Sequence, residues 1–379
     1  MDDYPTNKLK WTAGALRMNQ VQLIGTHNSY HRESPVVAKE AQAKILPNVT
    51  NYWYAHSPLD VQADYMSVRS FELDLLADPD GGAYARPLVI ERSPGAKDPA
   101  PRDVMDRPGV KVLHVPDADV WSTCPTLIEC LGVLRAWSRA HPDHVPIPVM
   151  LEFKTSEPLI AAGGGHSPVI PWNNTALLDD VDAEIRFVFA AHELITPDDL
   201  RGASGDPNLT LEQSVLRYGW PDLDSARGRV FFLMDNEAGP GSIAEVYTEG
   251  RPSLERRVIF TNSRPGSADC AFQKLNDPTG EVNQANIQEQ VRRGYWVRTR
   301  ADEPLTTLLG DDVTGMRDAA LASGAQIVST DFPAYGMSAR WAVDYAVRFP
   351  GGKTAICNPV NAPGGCADVV LEPEEYVRR

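Results

Sequence analysis

The chain has 379 residues, 42% of them apolar and 23% charged, so it can bury a sizeable core as one large α/β domain or two smaller ones. Its 51 acids against 36 bases give a formal net charge of -15, which argues against a nucleic-acid binder and against docking on anionic membrane by bulk attraction. An acidic surface does suit a site that collects a hard cation.

No apolar run approaches a membrane span. Met1 to Gln20 lacks the basic head and apolar core of a leader peptide, leaving a cytosolic protein or a mature secreted one. The five cysteines favour secretion: Cys124/Cys130 and Cys357/Cys366 read as two local disulfides with Cys270 left over, the alternative being five reduced thiols.

Compact apolar runs of strand length recur in chain order at Val21–Ile24, Val68–Leu75, Val110–Val115, Pro148–Phe153, Arg229–Met234, Arg257–Thr261, Tyr295–Thr299 and Gln326–Ser329. Helical periodicity runs through Leu127, Ile128, Leu131, Leu134 and Trp137, and through Leu177, Leu178, Val181, Ile185, Val188 and Phe189. A further helix spans Asp311–Ser323 and stops at Gly324. Ser29–Val61, Asp78–Pro108 and Thr155–Asn174 read as long loops, and Trp341–Arg348 as a final helix. Eight strands alternating with helices predict a (β/α)₈ barrel, and a seven-stranded sheet has a similar pattern. Residues 1–379 are expected to form one catalytic barrel domain with a short extension from about residue 335.

Polar residues collect at the ends of the first four strands. The first runs into Gly25-Thr26-His27-Asn28-Ser29-Tyr30, the second carries Glu72 and Asp74, the third ends at His114, and the fourth at Glu152 and Lys154. Period-two alternation puts Glu72 and Asp74 on one face, and Glu152 and Lys154 on one face. Acids inside an apolar strand are costly unless compensated. Three carboxylates and an amide oxygen suit a hard ion, calcium before zinc, with magnesium also possible. Taken singly, each residue has a plainer role: His27 a satisfied core histidine, Asn28 a turn residue, Glu72 and Asp74 ion-pair partners of Arg69 or Lys154. Joint placement on successive strand ends favours a site, because barrels build their chemistry there.

The motifs Gly25-Thr26-His27-Asn28-Ser29-Tyr30, Phe71-Glu72-Leu73-Asp74, Leu113-His114 and Leu151-Glu152-Phe153-Lys154 resemble the X-region of phosphatidylinositol-specific phospholipases C, above all the calcium-dependent bacterial enzymes. Ile327-Val328-Ser329-Thr330-Asp331-Phe332-Pro333 looks like the last strand of the same superfamily. The resemblance implies a distorted TIM barrel with Ca2+ held by Asn28, Glu72, Asp74 and Glu152, and with His27 and His114 flanking the phosphate.

On that reading a metal-bound carboxylate, Glu72 or Glu152, takes the proton of an inositol hydroxyl as it attacks phosphorus. His27 stabilises the phosphate charge, and His114 protonates the leaving diacylglycerol oxygen. Lys154, Arg298, Arg300 and Asp331 are candidate substrate contacts, the alternative for the arginines being ion pairs with Asp302 or Asp331. Tyr52, Trp53 and Tyr54 form an aromatic cluster suited to a membrane interface, to a sugar ring, or to a loop packed on its own core. His31, His56, His141, His144, His166 and His192 are expected on the surface. The expected partner is a phospholipid or inositol phosphodiester met at a transient membrane interface, the chain acting as a monomer. Rival readings are a glycerophosphodiesterase, a sphingomyelinase D-like enzyme, a non-lipid phosphodiesterase or glycosidase, and a non-catalytic calcium-dependent headgroup or glycan binder.

Overall fold

The computed structural model describes residues 9–155, 167–203 and 205–377. Its ten strands are β1 (Val21–Thr26), β2 (Phe71–Leu76), β3 (Lys111–Val112), β4 (Ile147–Phe153), β5 (Val230–Glu237), β6 (Ile259–Asn262), β7 (Phe272–Lys274), β8 (Trp296–Arg300), β9 (Ile327–Thr330) and β10 (Ala355–Cys357). They form one sheet in the order β10-β1-β9-β8-β7-β6-β5-β4-β2-β3. Every pairing is parallel except the outermost two, β10 on β1 and β3 on β2.

The eight parallel strands curl until β1 meets β2 through the isolated parallel bridge Gly25–Ser70. Thr26 N–H donates to the Ser70 carbonyl at 3.1 Å, and Arg69 N–H to that of Ile24 at 3.0 Å. Glycine is needed at this seam, because a Cβ on Gly25 would lie 2.9 Å from Ser70 Cβ. Alternation along β8 sends Trp296, Arg298 and Arg300 to one side. Trp296 packs on Phe231 and Trp220 with ring centres 4.9 and 5.3 Å apart, so one end of the barrel interior is an aromatic plug. The arginines follow towards the C-terminal ends of the strands, where the interior turns polar.

Most predicted strands are present, with one exchange. Val110–Val115 yields only the two residues of β3, antiparallel to β2 and outside the parallel set. The run is bent away by a turn in which Val115 N–H donates to the Asp119 carbonyl at 3.0 Å. The eighth parallel strand is instead β7, whose three residues Phe-Gln-Lys are too short and polar to show an apolar run. Helices form at Leu127–Ala140, Thr175–Val188 and Gly315–Ser323, the last ending on Gly324 at φ +75°. Within the predicted loop Ser29–Val61 lies a helix, Val36–Ile45, and another begins at Leu59. Part of the predicted loop Thr155–Asn174 falls outside the described residues, as does His166.

The predicted helix Trp341–Arg348 does not form. A 3₁₀ turn, Ala339–Trp341, ends where Ala342 adopts φ +58°, and the chain then runs irregularly with Tyr345, Val347 and Phe349 buried. Their period-two spacing belongs to extended chain. The paired disulfides are as expected, Cys124–Cys130 and Cys357–Cys366, with Cys270 free and buried. No helix among the described residues is long and apolar enough to cross a membrane.

His31, His56 and His144 are buried rather than superficial, because each ring nitrogen in use has found a partner inside the fold. His141 is partly buried and stacked on Trp137 at 4.2 Å, whereas His192 is exposed as expected.

The tail is tied to the barrel by a buried ion pair. Arg69 Nε donates to both oxygens of Glu372 at 3.0 and 2.8 Å, and Val145 N–H donates to Glu372 Oε1 at 2.9 Å. Both side chains are essentially inaccessible. Glu372→Ala strands the Arg69 guanidinium in the interior, and a loss of about 3–5 kcal/mol is expected in urea unfolding at pH 7. A second expectation concerns acid. His144 donates through Nδ1–H to the Val145 carbonyl and accepts from Ser138 Oγ–H, and burial lowers its pKa to about 4. Its neutral form is therefore stabilising above the ordinary value near 6.5, and that contribution is lost as pH falls from there towards 4. At about 1.4 kcal/mol per unit the total is roughly 3 kcal/mol, so His144→Gln should flatten the wild-type fall in urea midpoint over that window.

Candidate active site

The site forms where β1, β2, β4, β8 and β9 end. The turn after β1 is stitched to β2: Ser29 N–H donates to the Glu72 carbonyl at 2.9 Å, and Glu72 N–H donates to Ser29 Oγ at 2.8 Å. This brings Asn28, fully buried with φ +48°, beside the second strand. The parallel register of β2 and β4 pairs Asp74 with Glu152, so two carboxylates stand side by side. Glu72, Asp74 and Glu152 each place an oxygen so that all three lie within 4.8 Å of one another.

Two cations lean on this cluster. Lys154 Nζ is 3.1 Å from Glu152 Oε1 and 3.0 Å from Asp74 Oδ2, and Arg298 donates to Glu72 Oε2 at 2.7 Å. The charge remains poorly matched. Burial pushes the Glu72 pKa up to about 7 against the pull of Arg298, and burial raises Asp74 well above its ordinary value against Lys154. For Glu152, burial is outweighed by Lys154, which holds the carboxyl below the usual range.

The donor set fits a hard cation. Asn28 Oδ1 is buried and accepts no hydrogen bond, Asp74 is met on one oxygen by Lys154 Nζ, and every available ligand atom in the group is an oxygen. The family of motifs implies calcium, and these residues suit it.

Two histidines stand by the cluster, each backed by a carboxylate. His27 Nδ1–H donates to Asp331 Oδ1 at 2.9 Å, leaving Nε2 3.7 Å from Glu72 Oε1. Asp331 is held in turn by Arg300 at 3.0 Å, and its N–H donates to Asp302 Oδ1 at 2.9 Å. Asp302 also accepts from Tyr345 O–H, and burial beside Asp331 lifts its pKa to about 7. His114 Nδ1–H donates to Asp119 Oδ2 at 2.9 Å, and His31 Nε2–H donates to the same oxygen at 2.7 Å. Burial alone would raise the Asp119 pKa, but His31 and His114 hold it down to about 2. Burial lowers both active-site rings below the ordinary histidine value, His27 further by Arg300 and Arg298. The charge of His114 is felt at His27 and at Glu152, which joins the two halves electrostatically.

All predicted site residues thus converge at one end of the barrel. Their partners differ in part from expectation. Arg298 is 2% exposed and bound to Glu72, Asn276 and Ser329, whereas Arg300 makes the pair with Asp331 that was the structural alternative. The ion pair of Asp74 with Lys154, one of the plainer alternatives, is present, while Arg69 pairs with Glu372 and serves the tail. Of the aromatic cluster, Tyr54 is buried, Trp53 lies under Lys39 Nζ at 4.3 Å, and Tyr52 sits 5.1 Å from the His114 ring. Sequence reasoning passed over Asp119, placed His31 on the surface, and named Tyr54 and Asp302 only for other roles. Asp119 sits in a turn, where aspartate is common for local reasons, and nothing in the spacing marks it. It also passed over Lys274, which pairs with Asp235 at 2.6 Å across the ends of β7 and β5.

The family model described as "Phosphoinositide phospholipase C, Ca2+-dependent" matches residues 16–359. Among solved structures, a calcium-dependent phosphoinositol-specific phospholipase C from a Gram-negative Pseudomonas is similar at 17% identity and TM-score 0.51, covering 93% of this chain and 97% of its own. A myo-inositol complex of the Pseudomonas enzyme matches at the same identity and TM-score, covering 93% and 99%. A Ca2+-dependent phosphatidylinositol-specific phospholipase C from Streptomyces antibioticus matches at 15% identity and TM-score 0.48, covering 84% and 96%. No curated protein is a significant match. With the family model spanning nearly the whole barrel, the chain belongs to the calcium-dependent phosphoinositide phospholipase C family.

Proposed function

We propose that the chain cleaves phosphatidylinositol to diacylglycerol and a cyclic inositol phosphate, with the open monophosphate as a slower product. The observation that carries this reading is the pairing of an all-oxygen acidic pocket with two carboxylate-backed histidines at one barrel mouth. A phosphodiester needs its growing negative charge neutralised, a nucleophile deprotonated and a leaving group protonated, and the three parts correspond to these needs. The Pseudomonas structure with myo-inositol supports a headgroup of this kind.

Calcium held by Asn28, Glu72, Asp74 and Glu152 would neutralise phosphate charge and make a nearby hydroxyl more acidic. The protein groups do the rest. A carboxylate oxygen of Glu72 or Glu152 accepts the proton of the inositol hydroxyl beside the phosphate as that hydroxyl attacks phosphorus. Arg298, being buried against Glu72, sets the orientation of that carboxylate. Because His27 and His114 each turn Nδ1–H to an aspartate, both present Nε2 to the substrate. His27 donates there to a phosphate oxygen, and His114 gives its proton to the departing diacylglycerol oxygen. The rings are kept below their ordinary pKa by burial, and the anionic diester brings the charge that favours their protonated forms. Lys154, 14% exposed beside the acids, is the cation best placed to meet phosphate or a ring hydroxyl, with Arg300 and Asp331 behind His27. The two disulfides fit an oxidising compartment and so support secretion; the monomeric state and the transient meeting with lipid at a membrane surface are part of the proposal.

Phosphatidylinositol vesicles with calcium should release diacylglycerol and show a cyclic phosphate by phosphorus NMR, with nothing released in excess EGTA. Absence of turnover in both conditions would refute the lipase reading. In the same assay His27→Ala and His114→Ala should each lose about 10²–10⁴-fold in kcat, the usual scale for a positioned acid or base. Near-normal activity of the His114 variant on the natural lipid would show that another group is the acid.

A further inference from the structure

Tyr54 lies in the segment between β1 and β2, and its ring is held by two histidines. It stacks on His31 with ring centres 4.4 Å apart and meets His56 edge-on at 5.5 Å. Each of these histidines is itself anchored to the site. His31 Nε2–H donates to the Asp119 oxygen that also backs His114, and His56 Nε2–H donates to the His27 carbonyl at 2.9 Å. The Tyr54 ring is therefore wedged among groups that fix both histidines of the site, and only 6% of it is exposed.

From this position the Tyr54 hydroxyl oxygen accepts a hydrogen bond from Asn28 Nδ2 at 3.1 Å. An asparagine amide has two unlike ends, and its terminal torsion is broad and nearly two-fold, so the side chain alone does not select which end points where. Only the oxygen end can bind a cation. With the nitrogen engaged by Tyr54, Asn28 Oδ1 is the free end, buried and accepting nothing.

We infer that Tyr54 is a positioning residue for the cation: it engages the Asn28 amide nitrogen so that the oxygen faces the ion held with Glu72, Asp74 and Glu152. The inference rests on the calcium reading above and assigns to Tyr54 an internal task, in place of membrane or sugar contact. A carboxylate at position 28 would have two equivalent oxygens and no need of this selection.

The test is calorimetric titration of calcium, without substrate, into the wild type, Y54F, N28D and the N28D/Y54F double variant. Y54F keeps the wedged ring and removes only the hydroxyl. In the Asn28 chain it should weaken calcium binding about 10- to 100-fold, the usual cost of losing a group that orients a metal ligand. In the N28D background it should change the affinity by no more than about two-fold, the non-additivity expected of two residues that act through one contact. Equal weakening in both backgrounds would overturn the inference and assign the hydroxyl a packing role. Unchanged binding by Y54F, with the wild type binding calcium, would overturn this inference alone. A wild type that binds no calcium would overturn it together with the reading on which it rests.

Discussion

Three carboxylates confined to the mouth of an apolar barrel set the terms for everything around them. Glu72 and Asp74 are almost inaccessible and Glu152 only partly exposed, so water cannot pay their solvation in full. Arg298 and Lys154 bring two positive charges to three negative ones. The remaining imbalance is expressed in the raised pKa values of Glu72 and Asp74, beside a buried Asn28 oxygen that accepts nothing. The ligands present are of the kind that would hold a hard divalent ion, which would offset that imbalance.

The histidines obey the same electrostatics from the other side. Each would be a poor cation in a buried mouth crowded with arginine and lysine, and each is given an aspartate on its Nδ1. The two aspartates are differently supported. Asp331 is fixed by Arg300 and by the buried Asp302, whereas Asp119 is fixed by a second histidine and by Gln42 Nε2, which donates to its other oxygen at 3.1 Å. A carboxylate braced on both oxygens holds its imidazole in one tautomer and one orientation, which is what directed proton transfer needs.

The location of the site follows from how the barrel closes. Seven of the eight parallel contacts pair named strands, with a register shift between β5 and β6 and a single pair between β6 and β7, whereas β1 and β2 share only an isolated bridge, and the next residues turn out of the sheet. The polar turn Thr26–Ser29 takes over the work of the missing ladder, with Ser29 exchanging hydrogen bonds with Glu72 and Thr26 Oγ1 donating to Ser29 Oγ at 2.7 Å. Asn28 can adopt its left-handed conformation here because asparagine tolerates it better than most residues. The seam is thus a weak point of the sheet and the place where the turn brings Asn28 beside the second strand.

What the sequence by itself determined was the set of strand ends and the chemistry on them. The apolar runs around Val21, Phe71, Pro148, Arg229, Ile259, Trp296 and Ile327 specify buried strands, and polar residues interrupting such runs stand out because burial makes them expensive. His27, Asn28, Glu72, Asp74, Glu152 and Lys154 were legible for that reason. Tertiary structure alone decided which groups stand behind them. Asp119, His31, Tyr54 and Asp302 carry ordinary turn, loop and core signals, and they matter only because folding brings His31 and His114 onto one carboxylate and Tyr54 onto Asn28. It also decided that β7, too short to announce itself, completes the barrel while the apolar run before His114 does not. Local pattern records the cost of burying a residue. It holds no record of which distant partner offsets that cost, because the partner is chosen by the path of the chain in space.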